Sequence, residues 1–113
     1  MPAMQDDTAN ASIVKVITHQ VQDGNFRSLI FVKYEGKLHI NHVVINQTNS
    51  DTMILKASIS HNWIPDIEGN SITLHSNLAF IKQHGNKAMF VIKVVTDQEP
   101  AFKLHMVGAH QGK

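Results

Sequence analysis

Eight histidines, at positions 19, 39, 42, 61, 75, 84, 105 and 110, are the residues of this chain with the most chemistry to offer. Imidazole changes charge near neutral pH and is the commonest metal ligand, so their spacing is the first thing to read. On a β-strand successive side chains leave opposite faces, so a chelating pair on one strand needs an even gap. His39 and His42 lie three apart, and His105 and His110 five apart. Neither pair shares a face of a regular strand; only a bulge at His42 would bring the first pair together. No His-x-His and no H-E-x-x-H occurs.

His39, His75 and His105 each fall out of phase with the apolar residues beside them, which places them on outer faces. If the strands that carry them are neighbours, the three imidazoles meet as a patch able to take Zn²⁺ or Cu²⁺. Independently of metal, acid charges exposed histidines. The formal charge of +1 then climbs toward about +9 near pH 5.5, with consequences for solubility and assembly.

Other chemistry is thinner. The absence of cysteine excludes a disulfide framework, a thiolate nucleophile and Cys-type metal sites. Ser58, Ser60 and His61 are close in sequence, but adjacent positions such as 60 and 61 diverge on a strand, and no G-x-S-x-G elbow is present. Asp66 and Glu68 flank Ile67 as a possible carboxylate pair, which a solvated turn before Gly69 explains as well. With no Gly-rich phosphate loop or dinucleotide fingerprint, no cofactor is expected and the chain reads as a non-enzyme.

The segment Asn62–Asn70 (NWIPDIEGN) is the longest connection in this reading and holds the only tryptophan, Trp63. Trp63, Ile64, Asp66 and Ile67 are its candidate binding residues, since long loops on rigid scaffolds carry recognition and tryptophan anchors interfaces. The competing reading folds Trp63 and Ile67 back as a plug at one end of the domain.

Such side chains need a scaffold, and the turns set its rhythm. Asp23-Gly24-Asn25, Glu35-Gly36-Lys37, Glu68-Gly69-Asn70 and His84-Gly85-Asn86 each centre on glycine, and TNSDT at 48–52 and DQEP at 97–100 add polar breaks. Between them the period is two. Residues 26–34 are apolar on both faces, and 88–95 are so except at Lys93, which marks a central strand. Met53, Leu55, Ala57 and Ile59 form one face of a further strand, and Phe102, Leu104 and Met106 one face of another. In 38–47 the apolar phase shifts from Leu38 and Ile40 to Val43 and Ile45, which predicts a bulge near His42 and Val43.

The expected fold is all-β, a two-layer antiparallel β-sandwich of about seven or eight strands, immunoglobulin-like in style. The alternative is an α+β fold with a short helix at 77–84, where Ser76 and Gly85 would cap and stop it. Residues 1–11 read as a flexible tail and 12–110 as one domain.

The first twelve residues are polar, and no apolar run approaches bilayer length, so the cytoplasm or a virus particle assembled there is expected, with no membrane insertion. The N-x-S/T triplets at Asn10 and Asn46 then read as chance matches. Ten basic and nine acidic residues spread along the chain argue against a nucleic-acid surface. The second apolar face of the two richest strands (Leu29, Phe31; Met89, Val91, Val95) needs cover. The functional expectation is therefore a protein-interaction or structural module in a homo-oligomer or larger assembly. The alternative is a small β-barrel that binds a ligand or transition metal through outward histidines, with enzymatic activity possible. Trp63 offers a first check: emission typical of a buried indole, resistant to acrylamide, assigns the plug, and quenchable red-shifted emission assigns the exposed anchor.

Overall fold

The computed structural model describes residues 5–6, 10–59, 64–75 and 87–110. These form nine strands: β1 (Gln5–Asp6), β2 (Ala11–Gln20), β3 (Phe26–Glu35), β4 (His39–Gln47), β5 (Ile54–Ile59), β6 (Ile64–Glu68), β7 (Ser71–His75), β8 (Lys87–Thr96) and β9 (Phe102–His110). All pairings are antiparallel. One sheet has the order β1-β9-β4-β7-β6 and the other β2-β3-β8-β5. The molecule is a two-layer β-sandwich, as the two-residue period predicted. The segment for which a strand or a helix at 77–84 was weighed lies outside the described residues.

The core forms where the inward faces meet. Ile30, Val32 and Tyr34 of β3, Phe90, Ile92 and Val94 of β8, Val43 and Ile45 of β4, and Ile72 and Leu74 of β7 are all buried. Both richly apolar strands, β3 and β8, occupy the middle of the four-stranded sheet and pair over their full length. Gly24 and Gly69 adopt positive φ of 82° and 61° in the β2–β3 and β6–β7 turns, where a Cβ would be strained.

Bulges correct the expected phases at three strands. On β4 the register with β9 shifts between Ile40 and His42, so Asn41 is the extra residue and burial passes from Ile40 to Val43 and Ile45, as the sequence implied. On β5 the shift falls between Ile54 and Lys56. Ile54 is therefore buried while Met53 and Leu55 face solvent, reversing the expected face at that end. On β9 His105 is skipped between Leu104 and Met106, so Phe102 and Leu104 pack against the core while Val107 takes the buried position in place of Met106. Each extra residue flips the alternation downstream of it.

Two further expectations change. The segment read as a long loop contains β6, which pairs with β7 along 64–68. Pro65 is tolerated there because β6 is the outer strand of its sheet. Within the expected tail, Gln5 and Asp6 pair with Ala109 and Gly108 of β9, and Ala11 opens β2.

At one end, two chain crossings between the sheets meet on a single side chain. Gln47 is buried at the end of β4. Its Nε2 donates to the carbonyls of Asn49 (2.8 Å) and Thr52 (3.1 Å), and its Oε1 accepts from the amides of Asn49 (2.7 Å) and Ala101 (3.2 Å). Both donors and both acceptor sites of the amide are thus used. Gln47→Leu strands these backbone groups, and we expect a loss of about 3 kcal/mol, read as a lower urea midpoint with unchanged slope. A midpoint within error of the parent contradicts the assignment.

Candidate functional site

The strands of His39, His75 and His105 are β4, β7 and β9, which are neighbours in the order β9-β4-β7. Their register nonetheless sets the three on different rungs. His39 stands opposite His110, His75 opposite His42, and His105 is the bulged residue beside Val44 and Ile45. Along β4, roughly 15 Å separates the rung of His39 from that of His105, too far for one ion. Among the described residues no three histidine, aspartate or glutamate groups stand close enough to hold a metal.

What the register does assemble is a pair that sequence reading missed. His42 and His75 are direct cross-strand partners, with ring centroids 4.9 Å apart and planes inclined by 26°. The bulge at Asn41 turns Val43 inward, and His42 falls on the opposite face beside exposed His75. Cross-strand identity cannot be read without register, so the only available signal was the phase shift at 40–43. His42 Nε2 and Asn41 Oδ1 are buried and find no hydrogen-bond partner among the described residues. Burial, and then the charge of His75, lower the pKa of His42 below 6.5.

This depression fixes a direction for pH dependence. Below about 6.5 the unfolded chain takes up a proton at His42 that the folded chain refuses. The stability present above that pH is lost as pH falls through the lowered folded value. His42→Phe keeps a ring stacked on His75 and removes this contribution. The parent melting temperature should therefore drop more than the variant's between pH 7.5 and pH 5. Parallel curves for the two proteins would contradict the shift.

Of the candidate binding residues, Trp63 lies outside the described residues. Ile64 opens β6 opposite His75, and Asp66 and Ile67 follow on the same strand. Asp66 and Glu68 are exposed, and Ile67 between them is 37% exposed. What was read as a recognition loop is thus an acidic outer strand.

The remaining feature is the outer face of β2-β3-β8-β5. Directly opposed residues share a face, so the register lists its rows. Lys15, Phe31 and Val91 form one row; Ile17, Leu29, Lys93 and Ser58 the next; His19, Arg27, Val95 and Lys56 the third. Lys33 lies opposite Met89, which is 57% exposed. Leu29, Phe31, Val91 and Val95 are half-buried, and Lys15, Arg27, Lys33, Lys56 and Lys93 are exposed around them. The Lys15 ammonium sits 4.9 Å from the centre of the Phe31 ring, a cation–π contact. Glu35 is the carboxylate on this face; it stands at the end of β3, 3.9 Å from Lys87. The apolar residues expected to need cover therefore share one face with five exposed cations, of which Lys93 stands between Val91 and Val95.

No protein-family model, curated protein or solved structure matches the chain. No helix among the described residues is long and apolar enough to cross a membrane.

Proposed function

We propose that the chain is a non-catalytic interaction or structural module that works within a homo-oligomer or larger assembly, docking through the outer face of β2-β3-β8-β5. The observation that carries this reading is that half-buried Leu29, Phe31, Val91 and Val95 share one face with no second layer among the described residues. Interfaces combine apolar contacts with polar and charged groups, and this face offers both.

The sheet edges favour a face over an edge as the docking element. Strand β2 carries a register shift that leaves Val14 unpaired, and β5 one that leaves Leu55 unpaired. The other sheet ends in the two-residue β1 and in β6, which has Pro65, Asp66 and Glu68. Bulges, short strands, proline and charge are the devices that block strand addition.

Light scattering over a concentration series tests the proposal, with binding of an apolar-surface dye as a second readout. The expected result is a mass above that of the monomer, or a monomer whose dye binding Phe31→Glu abolishes. Phe31 points away from the core, so this variant should melt within a few degrees of the parent. A monomer that binds no dye overturns the reading.

A further inference from the structure

We propose that His42 and His75 are the two protein ligands of a divalent transition-metal site, best suited to Cu²⁺, on the outer face of β9-β4-β7. The inference goes beyond the interaction-module reading, which concerns the other sheet, and does not depend on it. The first argument is distance. Two imidazoles that share one ion, at about 2.0–2.1 Å per nitrogen and roughly 90–110° between the bonds, have ring centres about 4.5–5.2 Å apart. Those of His42 and His75, direct partners on adjacent strands, are 4.9 Å apart. The rings stack with planes inclined by 26°, so a nitrogen of each must turn toward the shared point. Rotation about the Cβ–Cγ bond does this with little displacement of the ring centre, and that torsion is broad in histidine.

The second argument is an uncommitted nitrogen. His42 Nε2 has no hydrogen-bond partner among the described residues, and neither has Oδ1 of the adjacent Asn41. Buried polar atoms are nearly always satisfied, and no hydrogen bond has to be broken to recruit this one as a ligand. The third argument is the surroundings. The row of the pair runs Asp6, Gly108, His42, His75, Ile64, and the next runs Met106, Val44, Thr73, Asp66. Each holds an aspartate and neither holds a lysine or arginine, so a dication meets no like charge there. Beyond the bulge at Asn41, the next rung of the same parity pairs His39 with His110. Among the described residues no third histidine, aspartate or glutamate completes the group, which leaves the other positions to water. Such a mixed nitrogen and oxygen set suits Cu²⁺, the tightest-bound of the first-row divalent ions.

Titration with Cu²⁺ at pH 7.5, followed by calorimetry and electron paramagnetic resonance, tests this. The variants are His42→Phe, which keeps a ring against its neighbour, and His75→Asn, at an exposed position; metal-free melting curves check that both fold. The parent should bind one ion per chain in its tightest class, with hyperfine coupling to two imidazole nitrogens, and should melt higher with Cu²⁺ present. Each substitution should weaken that class at least about tenfold, a loss that removing even an outer partner of a metal ligand can cause. The double variant should lose much less than the product of the two, because a chelate is broken by the loss of either arm. Four outcomes overturn the inference. They are a parent with no stoichiometric Cu²⁺ binding, a tightest class that neither substitution changes, and losses that multiply as for independent sites. The fourth is a class that survives His42→Phe but is lost with His39→Asn and His110→Asn together, which assigns the ion to the neighbouring rung.

Discussion

The side-chain amide of Gln47 is the constraint on which one end of the sandwich depends. The chain leaves the five-stranded sheet after β4 and returns to it before β9, and both crossings would leave backbone groups without sheet partners. Gln47 satisfies Asn49, Thr52 and Ala101 at once. Thr52 Oγ1 and Asn49 Nδ2 both donate to the carbonyl of Glu99, at 2.8 and 2.9 Å, and the Met53 amide donates to Asp97 Oδ1 at 2.7 Å. The two connections are thereby tied to each other rather than to water. At the crossing after β3, buried Tyr34 donates to the Leu38 carbonyl at 3.0 Å. Polar groups at the ends fix how the sheets meet, and the apolar faces between them supply the cohesion.

With the sheets held in this way, the bulges decide which residues the surface shows. A single extra residue moves everything downstream to the other face. Asn41 is such a residue, and it is why His42 meets His75 while Val43 joins the core. The cost is visible in the same place, since Asn41 Oδ1 and His42 Nε2 are buried without partners among the described residues. At β2 and β5 the extra residues sit on outer strands, where the kink interrupts the row of backbone groups that a stray strand would use.

The legibility of the sequence followed the same physics. Strands with apolar residues on alternate positions and glycine turns between them were readable, because period and turn chemistry are local. The bulge at Asn41 was readable too, since the polar pair Asn41 and His42 separates Ile40 from Val43 and exposes the change of phase. Those at Leu55 and His105 were not. Around Leu55 both phases are apolar, and Leu104, Met106 and Val107 permit either register, so the pattern there holds no information about the shift. Ile64–Glu68 was read as part of the long connection 62–70, yet it forms a strand whose proline is tolerated because it lies at a sheet edge. Register itself is a non-local property, and with it the histidine pairing stayed out of reach.

Charge shows this most clearly. Ten basic and nine acidic residues, mixed along the chain, gave no sign of an electrostatic surface. Strand alternation nevertheless sorts them, because Arg27, Lys33 and Lys93 share the parity that faces away from Ile30, Val32 and Ile92. The antiparallel register then places β2 and β5 so that Lys15 and Lys56 join the same side. The acids of β6 are set by the parity of a different sheet, where Glu68 shares its row with Ser71, Asn46 and Lys103. A near-neutral chain arranged this way carries little net repulsion between copies. Neutrality of composition is therefore compatible with a concentration of cations on one face.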